Sequence, residues 1–421
     1  FNYIHPAILI SSIATFHVFI AQFSIGMGLY VIINEYISYK TENNNLLNFT
    51  KKNTSLIIFI ATILGAVTGV GIWFTISIVA PRATSELIHN FVWFWATEWV
   101  FFLIEIISIL LYYYLWNKIS KNLHLTIGAI YFIAGWFSLF LINGIISFQL
   151  TPGNFHETNN IWHGFFNPSF LPSTIARTGF CLILASIYSL LVMSFTKDKK
   201  IKKLAGRISS SFIIIGFLLT TFGSYGWIHS VPTEASKQIL GGNLILSNFF
   251  KYYIIIGVIV SIIALLLELI FYKYINIIFA LILLCLSFMS YAYFEFSRER
   301  VRKPYVIYSQ IYSNGITVNE SAEINKNGIL QFINPLLKNK AKDDIDKGGI
   351  VFRSECYSCH SLYGFNDLKS KVGGLKKEDI YYIIDAIGYN PLMPTFLGTD
   401  EEKRYLSKYL EYKLNKNLNN E

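Results

Sequence analysis

Over the first three hundred positions, apolar residues come in long unbroken runs, with polar residues confined to the gaps between them. Eight runs, near 7–34, 54–80, 89–116, 122–147, 173–195, 208–228, 250–272 and 275–297, are long enough to cross a ~30 Å hydrocarbon core, which takes roughly 20 helical residues. The pattern predicts an all-α, polytopic bundle of about eight transmembrane helices over residues 1–300. Residues 301–340 are polar and rich in Asn, Ser and Gly, and read as a linker or small insertion. Beyond them, 341–421 read as a small all-α domain, with a helical entry at 342–354 and an amphipathic closing helix near 400–414.

Composition agrees: the 421 residues are 53% hydrophobic, 17% aromatic and only 14% charged, far from the average soluble domain. Lys and Arg set the orientation, because cytoplasmic loops retain positive charge. Alternate loops carry twelve of them: Lys40, Lys51 and Lys52, then Lys118 and Lys121, then Lys197, Lys199, Lys200, Lys202, Lys203 and Arg207, then Lys273. The intervening loops carry Arg82 and Lys237. Both termini are therefore expected outside a bacterial cytoplasmic (inner) membrane, with the C-terminal domain in the periplasm or outside. The first apolar run lacks the basic leader and small-residue cleavage site of a secretory signal. A formal charge of +9 is accounted for by these inner loops and the tail, and gives no argument for nucleic acid.

Cys356-Tyr357-Ser358-Cys359-His360 is the C-x-x-C-H pattern, in which two thiols add to haem vinyl groups and the adjacent His coordinates iron. A Met393-Pro394 pair follows some thirty residues later. With the flanking helices, this tail resembles a class I cytochrome c domain, which implies haem c held by Cys356 and Cys359 with His360 and Met393 as axial ligands. The competing readings are a Cys356–Cys359 disulfide and half of a zinc site, and no second Cys pair or nearby His completes the latter. Cys181 and Cys285 fall in apolar runs and are expected to pack as small apolar residues.

Ionisable groups at membrane depth are costly and invite a functional reading. His5, His17, His89, His156, His163 and His229 all fall on the outer side of this topology, and only His124 lies inward. The distribution suggests iron porphyrins near the outer surface, although a lone His is more often a hydrogen-bonded core residue. FHVFIAQFSIGMG, GAVTG, WATEWVFFLIE, NGIISFQLTPG and ERVRKPY, in that order, resemble subunit I of cytochrome bd-type oxidases over roughly residues 5–305. The likeness is nearest to a divergent branch of that family with a cytochrome c extension.

By that resemblance His17 stands where the family ligates its oxygen-reactive haem, Glu299 where a carboxylate ligates the high-spin b haem, and Arg302 where an Arg lies near the haems. Otherwise Glu299, Arg298, Arg300 and Arg302 read as an ordinary charged helix flank. Glu98 and Glu105 are seven apart on one helix and point the same way, which suits a proton route from the cytoplasm; inter-helix hydrogen bonding is the structural alternative. The family's pair is spaced by eight, which makes Glu98 the less secure of the two. Glu268 and Glu295 also lie near membrane depth, and Glu295 shares a face with Glu299.

Two departures matter. The family's low-spin b haem takes a His and a Met from the fifth and seventh helices, where this chain has Ala176 or Arg177, and Tyr253. That haem is expected to be absent or held by other residues, with His89 and His229 as candidates and His163 behind them. The family's quinol segment between the sixth and seventh helices is here only about twenty residues, GWIHSVPTEASKQILGGNLIL. The sequence is thus expected to encode a terminal oxidase subunit that takes electrons through haem c from a soluble cytochrome c or another outer donor and reduces O2 to water. Haem b, with haem d as an open choice, and a second membrane subunit follow from the resemblance. An electron conduit and a reductase for nitric oxide or another small oxidant are the alternative readings.

Overall fold

A computed structural model describes residues 5–333 and 341–415. The chain folds as two compact units: a bundle of Ser12–Phe74 and Glu86–Val301, and a lobe that joins the chain up to Ser11, Thr75–Ser85 and everything from Arg302 on.

Eight helices among the described residues are long and apolar enough to span a membrane: α1 (Pro6–Lys40), α2 (Asn44–Val79), α3 (Val92–Tyr114), α4 (Lys121–Phe148), α5 (Phe170–Ser194), α6 (Lys199–Ser230), α7 (Leu244–Leu269) and α8 (Ile277–Val301). Several outrun their apolar segments. α1 ends at Lys40 and α2 starts at Asn44, because helical backbone already pairs its own N–H and C=O groups and lysine is a good helix former. Polar residues cap the ends: Ser120 accepts from Leu123 N at α4, Asp198 from Lys200 N and Ile201 N at α6, and Asn243 from Ile245 N and Leu246 N at α7.

α5 is the axis of the bundle, with 83% of its most apolar stretch buried inside the protein, against 6% for α2. It touches α6 backbone to backbone: a Cβ at Gly179 would lie 2.5 Å from Gly216 O, and one at Gly216 2.6 Å from Gly179 O. Small residues of this kind are what allow apolar helices to associate closely where no hydrophobic force drives them. α2 is not uniformly α-helical; Ile58–Gly65 form π-helix, a departure from regular geometry often found at functional sites.

In the lobe, the described part of the segment read as a linker or small insertion, residues 301–333, is packed. β1 (Tyr305–Ile307) pairs antiparallel with β2 (Ile311–Tyr312), and Ile316, Ile324 and Ile329 share one core with Val351, Phe352, Leu406 and Leu410. Glu402 locks this arrangement. Its buried carboxylate accepts hydrogen bonds from Ile329 N (2.9 Å), Leu330 N (2.8 Å) and Thr399 N (2.9 Å). The apolar residues of this segment are too widely spaced to signal a core by periodicity. The remaining lobe helices are α9 (Asp344–Glu355), α10 (Lys377–Ala386) and α11 (Asp400–Asn415).

Candidate functional site

His17 lies in the N-terminal half of α1, against the turn of α2 that follows the π-helical stretch. The GAVTG motif shapes its seat. A Cβ at Gly69 would stand 3.1 Å from His17 Cε1, so glycine leaves the imidazole its room. Thr68 Oγ1 lies 3.0 Å from His17 Nδ1 and donates its own proton to Leu64 O at 2.6 Å. With its single hydrogen committed, the hydroxyl accepts from Nδ1–H, which leaves the lone pair of a neutral ring on Nε2. A ring so oriented fits the requirements of an axial iron ligand.

Toward the centre of the bundle, Glu105 accepts from Ser24 Oγ (3.3 Å), and Ser24 Oγ lies 2.6 Å from Tyr131 Oη. Two turns toward the N-terminus of α3, Glu98 accepts from Ser138 Oγ at 2.8 Å. The two glutamates do share a face of α3, and each is tied to another helix through serine. The inter-helix hydrogen bonding weighed for these carboxylates is thus present at both.

At the positions that would carry the low-spin haem ligands, a network of protein groups fills the space. Arg177, buried on α5, donates to Tyr291 Oη (2.9 Å) and Glu295 Oε1 (2.8 Å), and Arg298 pairs with Glu295 Oε2 (2.8 Å). Tyr253 Oη bonds Ser224 Oγ at 2.8 Å, and its ring lies 5.0 Å from that of Phe294. None of Ala176, Arg177 and Tyr253 has the chemistry of an iron ligand in this setting: the guanidinium is a donor committed to an ion pair. These groups do not fit a low-spin haem at this point. Glu295, expected to support Glu299, is committed to Arg177, Tyr291 and Arg298. Glu299 is half-buried in the last turn of α8, and Arg302 is buried just beyond it.

The remaining histidines expected on the outer side scatter. His89 and His229 are exposed at the ends of their helices, His229 with its ring 4.5 Å from that of Tyr225. His163 is exposed with Nδ1 2.9 Å from Thr158 Oγ1, and His156 is exposed nearby. His5 belongs to the lobe. Its Nε2 donates to Tyr357 O at 2.9 Å while Nδ1 accepts from Ala7 N, so both nitrogens are engaged, and burial holds its pKa below the ordinary value. Cys181 is buried as expected, whereas Cys285 is exposed on its helix.

Cys356, Cys359 and His360 occupy one turn after α9, closed by Cys359 N to Cys356 O (3.1 Å) and His360 N to Cys356 O (2.9 Å). His360 Nδ1 lies 2.9 Å from Asn366 O. A carbonyl only accepts, so Nδ1 carries the proton and Nε2 is the basic nitrogen. Asn366 Nδ2 donates back to Cys359 O at 2.8 Å. Cys356 is set among the lobe's apolar side chains, and burial raises its thiol pKa. No disulfide joins the two cysteines, and no group of three or more His, Cys, Asp and Glu among the described residues is arranged for a lone metal ion. The turn suits thioether attachment with an imidazole presented from the same stretch of chain. Met393 sits in a turn closed by its own N–H to Asn390 O (2.9 Å).

Sequence reasoning did not find Thr68, Arg177 as an ion-pair partner, or Asn366. The first sits inside GAVTG and had a signal; the other two depend on tertiary neighbours.

An all-α membrane bundle with imidazole and carboxylates on its inner faces is the class these features define. A model of the family "Cytochrome bd terminal oxidase subunit I" matches residues 8–237, more than half of the sequence, and the chain belongs to that family. Membership makes it a haem-containing subunit of a membrane terminal oxidase, an oxygen-reducing oxidoreductase; the family holds b and d haems and works with a second subunit. Its fold is similar to that of the bd oxidase from Geobacillus thermodenitrificans, with a TM-score of 0.58 at 15% identity over 70% of this chain and 85% of that one. No curated protein matches the sequence.

Proposed function

We propose that this subunit belongs to an oxidase that receives electrons through its own C-terminal lobe, from a soluble cytochrome c or another outer donor, and not from quinol. The observation that carries this reading is the Cys356–His360 turn with Nδ1–H of His360 held by Asn366 O. It would hold haem c, with Cys356 and Cys359 as attachment points and His360 and Met393 as axial ligands. The short connection between α6 and α7, from Val231 to Asn243, supports loss of a quinol site. The lysine bias of alternate loops supports a lobe outside the cytoplasmic membrane.

Within the bundle, His17 would present Nε2 to a haem iron and Glu299 a carboxylate to a second one; Arg302, the first residue of the lobe's main segment, matches by resemblance the Arg that the family has near its haems. Haem b, and haem d where the pocket selects it, supply oxygen binding and reduction when an iron position is open. Thr68 fixes the His17 tautomer, and Glu98 and Glu105 hold protons required by the reaction. Arg177 and Tyr253 have no part in haem ligation, and no low-spin haem is assigned to them, to His89 or to His229. A second membrane subunit is expected as partner.

Met393→Ala is expected to abolish oxygen uptake driven by reduced cytochrome c in membranes, while the reduced complex keeps its carbon monoxide spectrum. Full turnover of the unaltered complex with quinol alone would refute the donor assignment. Failure of the reduced complex to bind carbon monoxide would refute the oxidase reading and favour an electron conduit.

A further inference from the structure

Glu98 and Glu105 are two rungs of a longer ladder. α3 and α4 are antiparallel neighbours, and their polar residues step seven up one helix and seven down the other: Glu98 with Ser138, Glu105 with Tyr131 through Ser24, and Tyr112 with His124. Successive rungs stand roughly 10 Å apart at 1.5 Å per residue. On α4, Gly128 and Gly135 alternate with these residues and keep the face open, since a Cβ at Gly135 would lie 3.3 Å from Glu105 Cδ and one at Gly128 2.9 Å from Tyr112 Cε2.

The third rung holds a third group, Glu35 of α1, and its chemistry is specific. Glu35, His124 and Tyr112 are all at most 2% exposed. His124 Nε2 lies 2.7 Å from Tyr112 O; a carbonyl only accepts, so Nε2 carries a proton. His124 Nδ1 lies 2.6 Å from Glu35 Oε1, and Tyr112 Oη donates to Glu35 Oε2. A short contact between Nδ1 and a carboxylate oxygen requires one proton between them. That proton can rest on either partner, as imidazolium with carboxylate or as imidazole with carboxylic acid, without moving a heavy atom. Tyr39, half-buried one turn along α1, is within hydrogen-bonding reach of Glu35, and Lys121 Nζ lies 5.0 Å from the centre of its ring. The rung therefore adjoins Lys40, Lys118 and Lys121, the lysine-rich end assigned to the inner side by charge bias.

We propose that Glu35 and His124, with their shared proton, form the inner station of a proton path that supplies Glu105 and then Glu98. A proton taken up past Tyr39 joins the Glu35–His124 pair, and the one already held there moves outward. Reduction of O2 by four electrons consumes four such protons and yields two waters, so the station returns to its starting state after each transfer. The inference rests on the oxidase reading above.

The test uses the assembled oxidase in membranes. Glu35→Gln can still donate to His124 Nδ1 and accept from Tyr112, so packing is retained, but the amide has no proton to pass on. We expect oxygen uptake to fall about a hundredfold, the low end of what a positioned acid or base contributes. Its solvent deuterium isotope effect should rise, with haem content and the carbon monoxide spectrum unchanged. Glu35→Asp, which keeps a titratable carboxyl, should recover a large part of the rate. Normal uptake in Glu35→Gln would overturn the proposal. So would equal losses in both variants with an unchanged isotope effect, or loss of haem in Glu35→Gln, each of which makes the group structural. Absence of carbon monoxide binding in the unaltered complex would instead sink the oxidase reading itself.

Discussion

The bundle and the lobe each hold an imidazole by Nδ1, and they do it with different atoms. In the bundle, His17 is pinned by a side chain, Thr68 Oγ1; in the lobe, His360 is pinned by a backbone carbonyl, that of Asn366. The difference follows from the solvent. Inside a bilayer, helices spend most backbone carbonyls on themselves, so the seat of His17 adds a hydroxyl; the carbonyl that takes His124 Nε2–H, that of Tyr112, belongs to the last turn of α3, where carbonyls are free. A loop in water has carbonyls to spare. Buried charge is handled differently too. Arg177 and Glu295 neutralise each other within the bundle, whereas Glu355 of the lobe is buried with a neutral side-chain partner, Asn314, and burial raises its pKa to about 8.

The sharpest way to break this comparison is Arg177→Leu, which leaves Glu295 with Arg298 and Tyr291. Removal of one partner from a buried pair costs about 3–5 kcal/mol, to be read as a lower thermal midpoint of the solubilised complex; an unchanged midpoint would mean that the pair is dispensable. Thr68→Val keeps the shape of the His17 seat and removes its acceptor. Loss of a group that orients a metal-bound His typically costs 10–100-fold in affinity or activity, and we expect about that in oxygen uptake, accompanied by a shifted carbon monoxide spectrum.

The Glu355 carboxyl sharpens the contrast through pH. Its folded pKa of about 8 lies above the ordinary 4.5, so its contribution is complete below 4.5. Between these values the unfolded chain has lost a proton that the folded lobe retains. Lobe stability should therefore fall by about 1.4 kcal/mol per pH unit up to about pH 8 and level off above it. Hydrogen exchange in α9, corrected for its intrinsic rate, reads this directly, and Glu355→Gln should flatten the slope. The smallest effect belongs to Asn366→Ala. The carbonyl pin survives that change, but the Nδ2–H bond to Cys359 O is lost, about 0.5–1.5 kcal/mol, and φ of +46° costs most side chains about 1–2 kcal/mol more; Asn366→Gly should lose the hydrogen bond alone.

How much of this was legible in the sequence divides along the same line. Apolar runs placed all eight spanning helices, because membrane thickness alone dictates their length. His17, Glu98, Glu105 and the C-x-x-C-H turn were visible as residue types in telling places. Thr68 was within reach, being three residues after the first glycine of GAVTG. Asn366 was not, since its role uses a backbone oxygen that any residue possesses. Nor was the packing of 305–333, whose carboxylate anchor, Glu402, lies some seventy residues downstream. Arg177 shows the reverse case: it stands out in the sequence as the wrong residue for a ligand, and the structure gives it a counter-ion on α8.

The wide π-helical turn of α2 places Thr68 and Gly69 opposite His17 by register alone. A turn closed by i→i+5 bonds holds about one residue more than an α-helical turn, so loss of a residue there can be absorbed by regular winding, whereas one residue inserted between Gly65 and Ala66, where the helix is again α, would swing Thr68 and Gly69 by about 100° and carry hydroxyl and glycine away from the imidazole together. A single-codon insertion in an otherwise featureless apolar stretch would thus disarm the histidine as surely as replacing it.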